Sequence, residues 1–364
     1  MLKDLNITKS TIFYILAPSN KFTGGPTLLH QLGFSLKKNF NYTVRMFYYG
    51  VSIDNPIHQN YKKYNLPVAI KIEDNPNNIL ISGEISQHLN LCINLKNIQK
   101  IMWWLSVDFF YISQKKLLIK KNLARRFLNY LNKRIIKKIS EKLYLKIERL
   151  FEIKDLSKML DSFNFKCHLC QSYYAYEHLK KNKIKNVYML SDYLDDSFFS
   201  NKKYLGLKRK NIILYNPKKG VEITKLIINK LSNYEFKKIE NFTPEEIIHL
   251  MKTSKIYIDF GEHPGKDRIP REAAYLGACI ITGKKGSASN NIDISIPSIY
   301  KFDDYRINFH RLESLIDSIF KNFSYHTKNF SGYRNKIRNE KNTFNKELKF
   351  IFDNSIDHKQ SNIG

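Results

Sequence analysis

Short apolar runs recur along the chain, divided by stretches in which leucine or isoleucine returns every three or four positions. Runs at Thr11–Ala17, Thr43–Tyr49, Asn78–Ser82 and Ile101–Leu105 read as buried strands. Between the first two, Gly24 and Gly25 predict a tight turn and Pro26 a helix start. Leu28, Leu29, Leu32 and Leu36 then follow helical spacing. A strand at Lys166–Tyr173, a helix at Ala175–Lys181 and a short strand at Asn186–Leu190 complete a first α/β half. The polar, aromatic and glycine-bearing stretch Asp192–Leu207 reads as a linker.

The second half repeats the alternation. Strands are predicted at Asn211–Tyr215, Glu235–Ile239, Lys255–Phe260 and Ala278–Thr282, and an amphipathic helix at Val221–Leu231. Thr243, Pro244 and Glu246 form the signature of a capping box that opens a helix over Glu245–Lys252. Pro270 predicts the start of another helix, and Arg311–Phe352 reads as helical, with little to pack after Asp353. Strands alternating with helices predict α/β architecture: two doubly wound parallel sheets in two domains, 1–200 and 208–330, followed by a C-terminal helix and tail at 331–364.

One segment breaks the pattern. Lys115–Arg149 carries thirteen Lys or Arg and two acids, with Leu128, Leu131, Ile135, Ile139, Leu143 and Ile147 three or four apart. That is a basic amphipathic helical insertion over 115–150, suited to an anionic membrane surface or to an outer helix packed on a sheet. The net charge of +28 over 364 residues points the same way, or reflects a lysine- and asparagine-rich composition. No nucleic-acid module is present, so no nucleic-acid partner is expected. No run reaches the length of a membrane span, and MLKDLNITKS lacks an apolar signal core. A cytoplasmic chain, peripheral to the inner face of the membrane at most, is expected. Cys92, Cys167, Cys170 and Cys279 make no disulfide framework, and the lone C-x-x-C pair with His168 does not complete a zinc site.

Candidate chemistry lies where predicted strands end. Asn216, Lys218, Lys219 and Gly220 follow the strand Asn211–Tyr215. Glu262, His263, Gly265, Lys266, Arg268, Arg271 and Glu272 follow the strand Lys255–Phe260. Cations and unpaired backbone N–H groups at a strand-to-helix turn suit phosphate, and a carboxylate beside them suits sugar or ribose hydroxyls. In the first half, Trp103 and Trp104 precede Ser106 and Asp108. These tryptophans either stack on a sugar or fill core, and Asp108 either acts as a base or caps a turn. Gly24, Gly25 and His58 are further candidates there. No carboxylate cluster suited to Mg²⁺ stands out, so no metal or cofactor is expected.

The stretch TIFYILAPSNKFTGGPTLLHQLGFSLKK and the segment from about Ile212 to Tyr300 together resemble the GT-B glycosyltransferases. The resemblance is to the retaining group that includes glycogen synthase and bacterial surface-polysaccharide transferases. Glu272-Ala273-Ala274 matches the second glutamate of that family's paired-glutamate motif and its helix. Gly277 matches the glycine before the next strand, and Gly283 to Gly286 the glycine turn after it. The departure is at the first glutamate, because nine residues separate Glu262 from Glu272 where the family has seven. The resemblance implies two Rossmann-like domains facing a cleft and transfer of a sugar from a nucleotide-sugar donor to a glycan or lipid-linked acceptor. A metal-independent role in bacterial surface polysaccharide, lipopolysaccharide or capsule assembly is implied. Glu272 would hold the ribose, and Lys219, Lys266 and Arg268 the diphosphate, with Asp108, Glu262 and His263 as catalytic candidates. Other classes compatible with the residues are a peripheral membrane or nucleic-acid binding protein with an inactive shell, and an epimerase on the same fold.

Overall fold

A computed structural model describes residues 5–50, 55–121, 155–195, 198, 207–303 and 307–352. The chain folds as two compact units. The first takes the described residues up to 171 together with 175–190 and 348–352, and the second takes 172–174 and 191–347.

In the first unit, the elements run β1 (Ile12–Pro18), α1 (Gly24–Phe40), β2 (Thr43–Tyr49), β3 (Ile79–Gly83), α2 (Ser86–Cys92), β4 (Gln99–Trp104), α3 (Val107–Lys121), α4 (Leu156–Asp161), β5 (Phe165–Cys170), α5 (Tyr173–Lys181) and β6 (Val187–Met189). The six strands form one parallel sheet in the order β2-β1-β3-β4-β5-β6. β3 and β4 are buried along their whole length, which explains why they read as continuous apolar runs rather than as alternation. Leu28, Leu29, Leu32 and Leu36 of α1 are all buried.

The second unit continues with β7 (Lys210–Tyr215), α6 (Val221–Lys230), β8 (Glu235–Lys238), α7 (Pro244–Thr253), β9 (Ser254–Asp259), α8 (Arg268–Tyr275), β10 (Cys279–Thr282), α9 (Phe309–Lys321), α10 (Phe323–Lys328) and α11 (Ser331–Phe352). Its four parallel strands take the order β10-β9-β7-β8. The capping box is formed as read from sequence: the Thr243 hydroxyl accepts from the Glu246 N–H while Glu246 accepts from the Thr243 N–H.

Several boundaries differ from the sequence reading. α1 opens at Gly24, two residues before Pro26, and α8 opens at Arg268, two before Pro270. In both cases the proline stays within the first turn, where no N–H is needed for the helix ladder. The stretch expected as a linker is partly interior: Asp192 and Leu194 are buried, and Phe198 joins the second core. α11 is one helix of 22 residues. Its end packs in the first unit, where the Phe352 ring meets Phe13 edge-on and its carbonyl accepts from the Tyr42 hydroxyl. All four cysteines are buried and none forms a disulfide. The expected basic helix at 115–150 lies outside the described residues except for its first turns in α3. Among the described residues, no helix is long and apolar enough to cross a membrane.

Candidate nucleotide-diphosphate site

In an open parallel sheet, the place where strand order reverses leaves a crevice at the carboxyl ends of two neighbouring strands. In the second unit the chain runs from β7 outward to β8, then returns to β9 on the other side, so the switch lies between β7 and β9. The turn 216–220 leaves β7 there and the loop 260–267 leaves β9 there. These are the two segments the sequence singles out.

The turns are built to touch. Asn216 Oδ1 accepts from the Lys218 N–H at 3.0 Å, which closes the turn. Gly220 caps α6 with φ +56, and a Cβ there would come within 2.3 Å of the Phe260 carbonyl oxygen, so only glycine fits. A third turn backs the loop from β10. Gly286, φ +49, leaves no room for a Cβ against the carbonyls of Glu262 and His263. The Ser287 N–H donates to the His263 carbonyl at 2.8 Å, and its hydroxyl to the Gly265 carbonyl at 2.7 Å.

At the centre lies a line of alternating charge. Lys219 Nζ meets Asp267 Oδ1 at 2.5 Å. Asp267 Oδ2 faces His263 Nδ1 at 3.0 Å, and His263 Nε2 lies 3.5 Å from Asp259 Oδ1. The Asp259 carboxylate also accepts from the Tyr257 hydroxyl at 2.8 Å and the Gly261 N–H at 2.9 Å. The His263 side chain is wholly buried. Burial alone would lower its pKa, but Asp259 and Asp267 outweigh that and raise it above the ordinary imidazole value. Burial would likewise push the Asp267 carboxyl up, but His263 and Lys219 hold it below the usual carboxylate range.

Asp259, His263 and Asp267 are a group of possible metal ligands among the described residues. Protein groups of opposite charge lie against each of the three. The two ring nitrogens face different carboxylates, Asp259 takes two donors besides, and Asp267 holds an ammonium. His263 Nδ1 and Asp267 Oδ2 face each other across an ion-pair contact, but both are buried without an aligned hydrogen bond.

The other predicted residues divide sharply. Lys266 and Arg271, expected to meet phosphate, are interior: Lys266 pairs with Glu340 at 2.8 Å, and Arg271 bonds Glu340 and Asp192. Two cations and two carboxylates thus neutralise one another inside the unit, because a buried charge needs a partner more than a solvated one does. Arg268 is partly exposed, and its Nε and one terminal nitrogen both donate to Glu272 Oε1, at 2.9 and 2.8 Å. Glu272 itself is buried. Glu262 points outward to Lys285 at 2.7 Å and stands apart from the buried charge line.

In the first unit, the corresponding switch lies between β1 and β3. Gly24 and Gly25 form the first helical turn after β1, and a Cβ at Gly24 would meet nothing within 4 Å. The tryptophans fill core, the second of their two possible roles. Trp103 and Trp104 are fully buried, their indole N–H groups donating to the Leu190 carbonyl and to His168 Nδ1. Asp108 lies in the first turn of α3, where the Ser106 hydroxyl accepts from the Phe109 N–H. His58 caps a short helical turn through Nδ1 and stacks on Phe22 with centroids 5.3 Å apart. Sequence reasoning missed Glu84 at the end of β3. It is buried and accepts from the Leu105 N–H at 3.0 Å, and burial lifts its carboxyl to about 7. Its place after an apolar run was the available signal. Asp259 and Asp267 were also missed, because one ends an apolar strand run and the other lies between two cations, and neither position has a pattern of its own.

No family model matches the chain, and no curated protein matches it. Solved structures do. Over 96% of its length the chain is similar to the whole (100%) of HepE from Anabaena, solved with UDP and glucose, with a TM-score of 0.57 at 11% identity. Sucrose-phosphate synthase from Thermosynechococcus elongatus matches over 90% of this chain and 94% of its own, with a TM-score of 0.56 at 11% identity. The catalytic domain of starch synthase IV from Arabidopsis thaliana, bound to ADP and acarbose, matches over 93% of this chain and 99% of its own, with a TM-score of 0.51 at 11% identity. These likenesses establish the fold: two Rossmann-like α/β units in succession, the GT-B architecture that the residues at 11–38 and 212–300 resemble.

Proposed function

We propose that this GT-B chain is a glycosyltransferase that takes a sugar from a nucleotide-sugar donor and passes it to a glycan or lipid-linked acceptor. The observation that carries the reading is the meeting of Lys219, Gly220 and the loop 260–267 at the β7/β9 switch. A departing nucleoside diphosphate must have its growing negative charge stabilised. The N-terminus of α6, the Lys219 ammonium and the half-exposed Arg268 supply positive potential at that edge. Lysine has three donors, so Lys219 can keep Asp267 and still reach a phosphate oxygen. Glu272 is assigned to the ribose, consistent with the family pattern it matches. Lys266 and Arg271 are assigned to the scaffold, since their charges are answered within it.

The solved relatives hold UDP with glucose and ADP with acarbose, which supports a nucleoside diphosphate as the bound group. Chain cations, without a divalent ion, are proposed to offset the leaving diphosphate. A place in bacterial surface polysaccharide or lipopolysaccharide assembly is proposed from the resemblance to bacterial surface-polysaccharide transferases. The net charge of +28 favours work beside an anionic membrane face.

The test is a thermal-shift panel of UDP, ADP, GDP and their glucose conjugates. Saturation at about a hundred times Kd stabilises by about 2.7 kcal/mol and raises Tm by several degrees. Lys219→Met should abolish most of the shift while leaving the unliganded Tm close to wild type. No shift with any of these nucleotides, in protein shown to be folded, refutes the reading.

A further inference from the structure

We propose that Asp259, His263 and Asp267 form a site for one divalent transition-metal ion of the zinc class, which pins the loop 260–267 to the end of β9. The proposal stands apart from the donor-site reading: the ion is structural and touches no substrate.

One donor atom from each of the three side chains lies within 4.8 Å of the others. The His263 ring is wholly buried, and its Nε2 meets the Asp259 backbone carbonyl at 3.4 Å. A carbonyl only accepts, so Nε2 carries the hydrogen and Nδ1 of the neutral ring presents a lone pair. That lone pair faces Asp267 Oδ2 at 3.0 Å, and both atoms are buried without a hydrogen-bond partner. Two electron-rich atoms so close repel unless a cation lies between them. The contact is not aligned for a proton shared along the line joining the atoms. An ion bound off that line, about 2.0–2.2 Å from each, satisfies both.

Asp267 supplies an independent sign. It is the N-cap of α8, where an aspartate ordinarily accepts from the first N–H groups of the helix. Its side chain makes no such bond. The carboxylate turns instead toward Lys219 and His263, with Oδ1 on the ammonium and Oδ2 left for the ion. Asp259 accepts from the Tyr257 hydroxyl on one oxygen and the Gly261 N–H on the other, and each oxygen keeps a further lone pair. A histidine whose other N–H donates to a backbone carbonyl, and carboxylates held by outer donors, are the usual surroundings of a bound metal.

The donor set selects the ion. An imidazole nitrogen with two carboxylates suits zinc or another first-row divalent ion, whereas magnesium and calcium take oxygen ligands. The two carboxylates also match the charge of a divalent ion, so the buried site needs no further counter-charge. Asp259 ends β9 and Asp267 caps α8, so an ion held by both closes the loop between them. It holds with them the His263 backbone, whose φ of +46 costs free energy for a side-chain-bearing residue.

The test uses the full chain, stripped with a chelator, without nucleotide and at about pH 8, where protons compete less for Nδ1. It is titrated with Zn²⁺ and, separately, with Mg²⁺. Wild type should take up one zinc ion per chain. Its Tm should rise by several degrees at about a hundred times Kd, with no rise in the same concentration of Mg²⁺. Asp267→Asn keeps a good N-cap residue, and His263→Asn suits the left-handed backbone. Each should weaken zinc binding by more than the roughly ten- to hundredfold that loss of an outer partner costs. Cobalt-loaded wild type should lack the intense near-ultraviolet band of a thiolate ligand, which separates this site from Cys167 and Cys170. No zinc uptake by folded wild type, a cobalt–thiolate band, or unchanged zinc affinity in a folded variant overturns the proposal. If neither variant folds, the stoichiometry and the cobalt spectrum of wild type decide. The shift with UDP, measured in excess chelator, tests the donor reading separately, and neither result depends on the other.

Discussion

Arg271 and Glu84 show how burial decides what an ionisable side chain is for. Arg271 sits on a helix face beside candidate phosphate ligands, and its sequence position alone suggests an anion site. Its guanidinium is instead almost wholly enclosed, bonded to Asp192 and Glu340, which hold its pKa far above the ordinary range despite burial. Arg271→Met strips the buried Asp192 and Glu340 carboxylates of their guanidinium partner, and should destabilise the protein by about 3–5 kcal/mol. Urea titration checks this, and a loss confined to nucleotide binding would contradict the structural role. Glu84 is the reverse case, a carboxyl raised from 4.5 to about 7 by burial. A raised carboxyl pKa means the folded state favours the neutral form. Stability is therefore lost as pH climbs from about 4.5 to about 7, on the order of 1.4 kcal/mol for each unit of displacement. Glu84→Gln keeps an acceptor for the Leu105 N–H and should melt higher than wild type at pH 8, with the gain gone near pH 4.5.

At the scale of elements, local signals set the helices' starts and tertiary contacts set the rest. The Thr243 capping box needs only residues three apart, so it was legible in the sequence and is formed in the structure. Because its bonds are exposed and local, Thr243→Ala should cost about 1 kcal/mol and leave nucleotide binding unchanged, as paired melts with and without UDP would show. The turn at Gly220 was legible as a turn, but its steric demand was not. The clash that forbids a side chain comes from Phe260, forty residues on. Gly220→Ala should therefore shift the whole loop after β9 and weaken nucleotide binding more than Thr243→Ala does, which the same thermal-shift panel measures. For the two tryptophans ending β4, likewise, only the structure chose between a stacking platform and core, and they fill core. Their neighbours across the sheet and at Leu190 enclose them, and a strand-end position does not say which way a ring turns.

For the molecule as a whole, the donor reading assigns nucleotide contacts to one of the two units. Hydrogen exchange with and without UDP should show added protection in the turns after β7, β9 and β10, and little change along β1 to β6. Uniform protection across both sheets would count against a site built only from the second unit's loops. The two doubly wound α/β halves were legible, because parallel strands buried on both faces must be apolar runs and their crossovers must be helices of regular period, while GT-B was implied only by the resemblance. Patterning of that kind is local in the chain and survives without an alignment. Strand order, and with it the β7/β9 switch that locates the site, emerges only when the strands are laid side by side. The sequence by itself thus determined the strands, the helices, the capping box and which loops carry cations. Only the tertiary structure decided which of those cations face solvent and which are enclosed. Charge is a property of a residue, while its pairing depends on carboxylates such as Asp192 and Glu340 brought from distant parts of the chain.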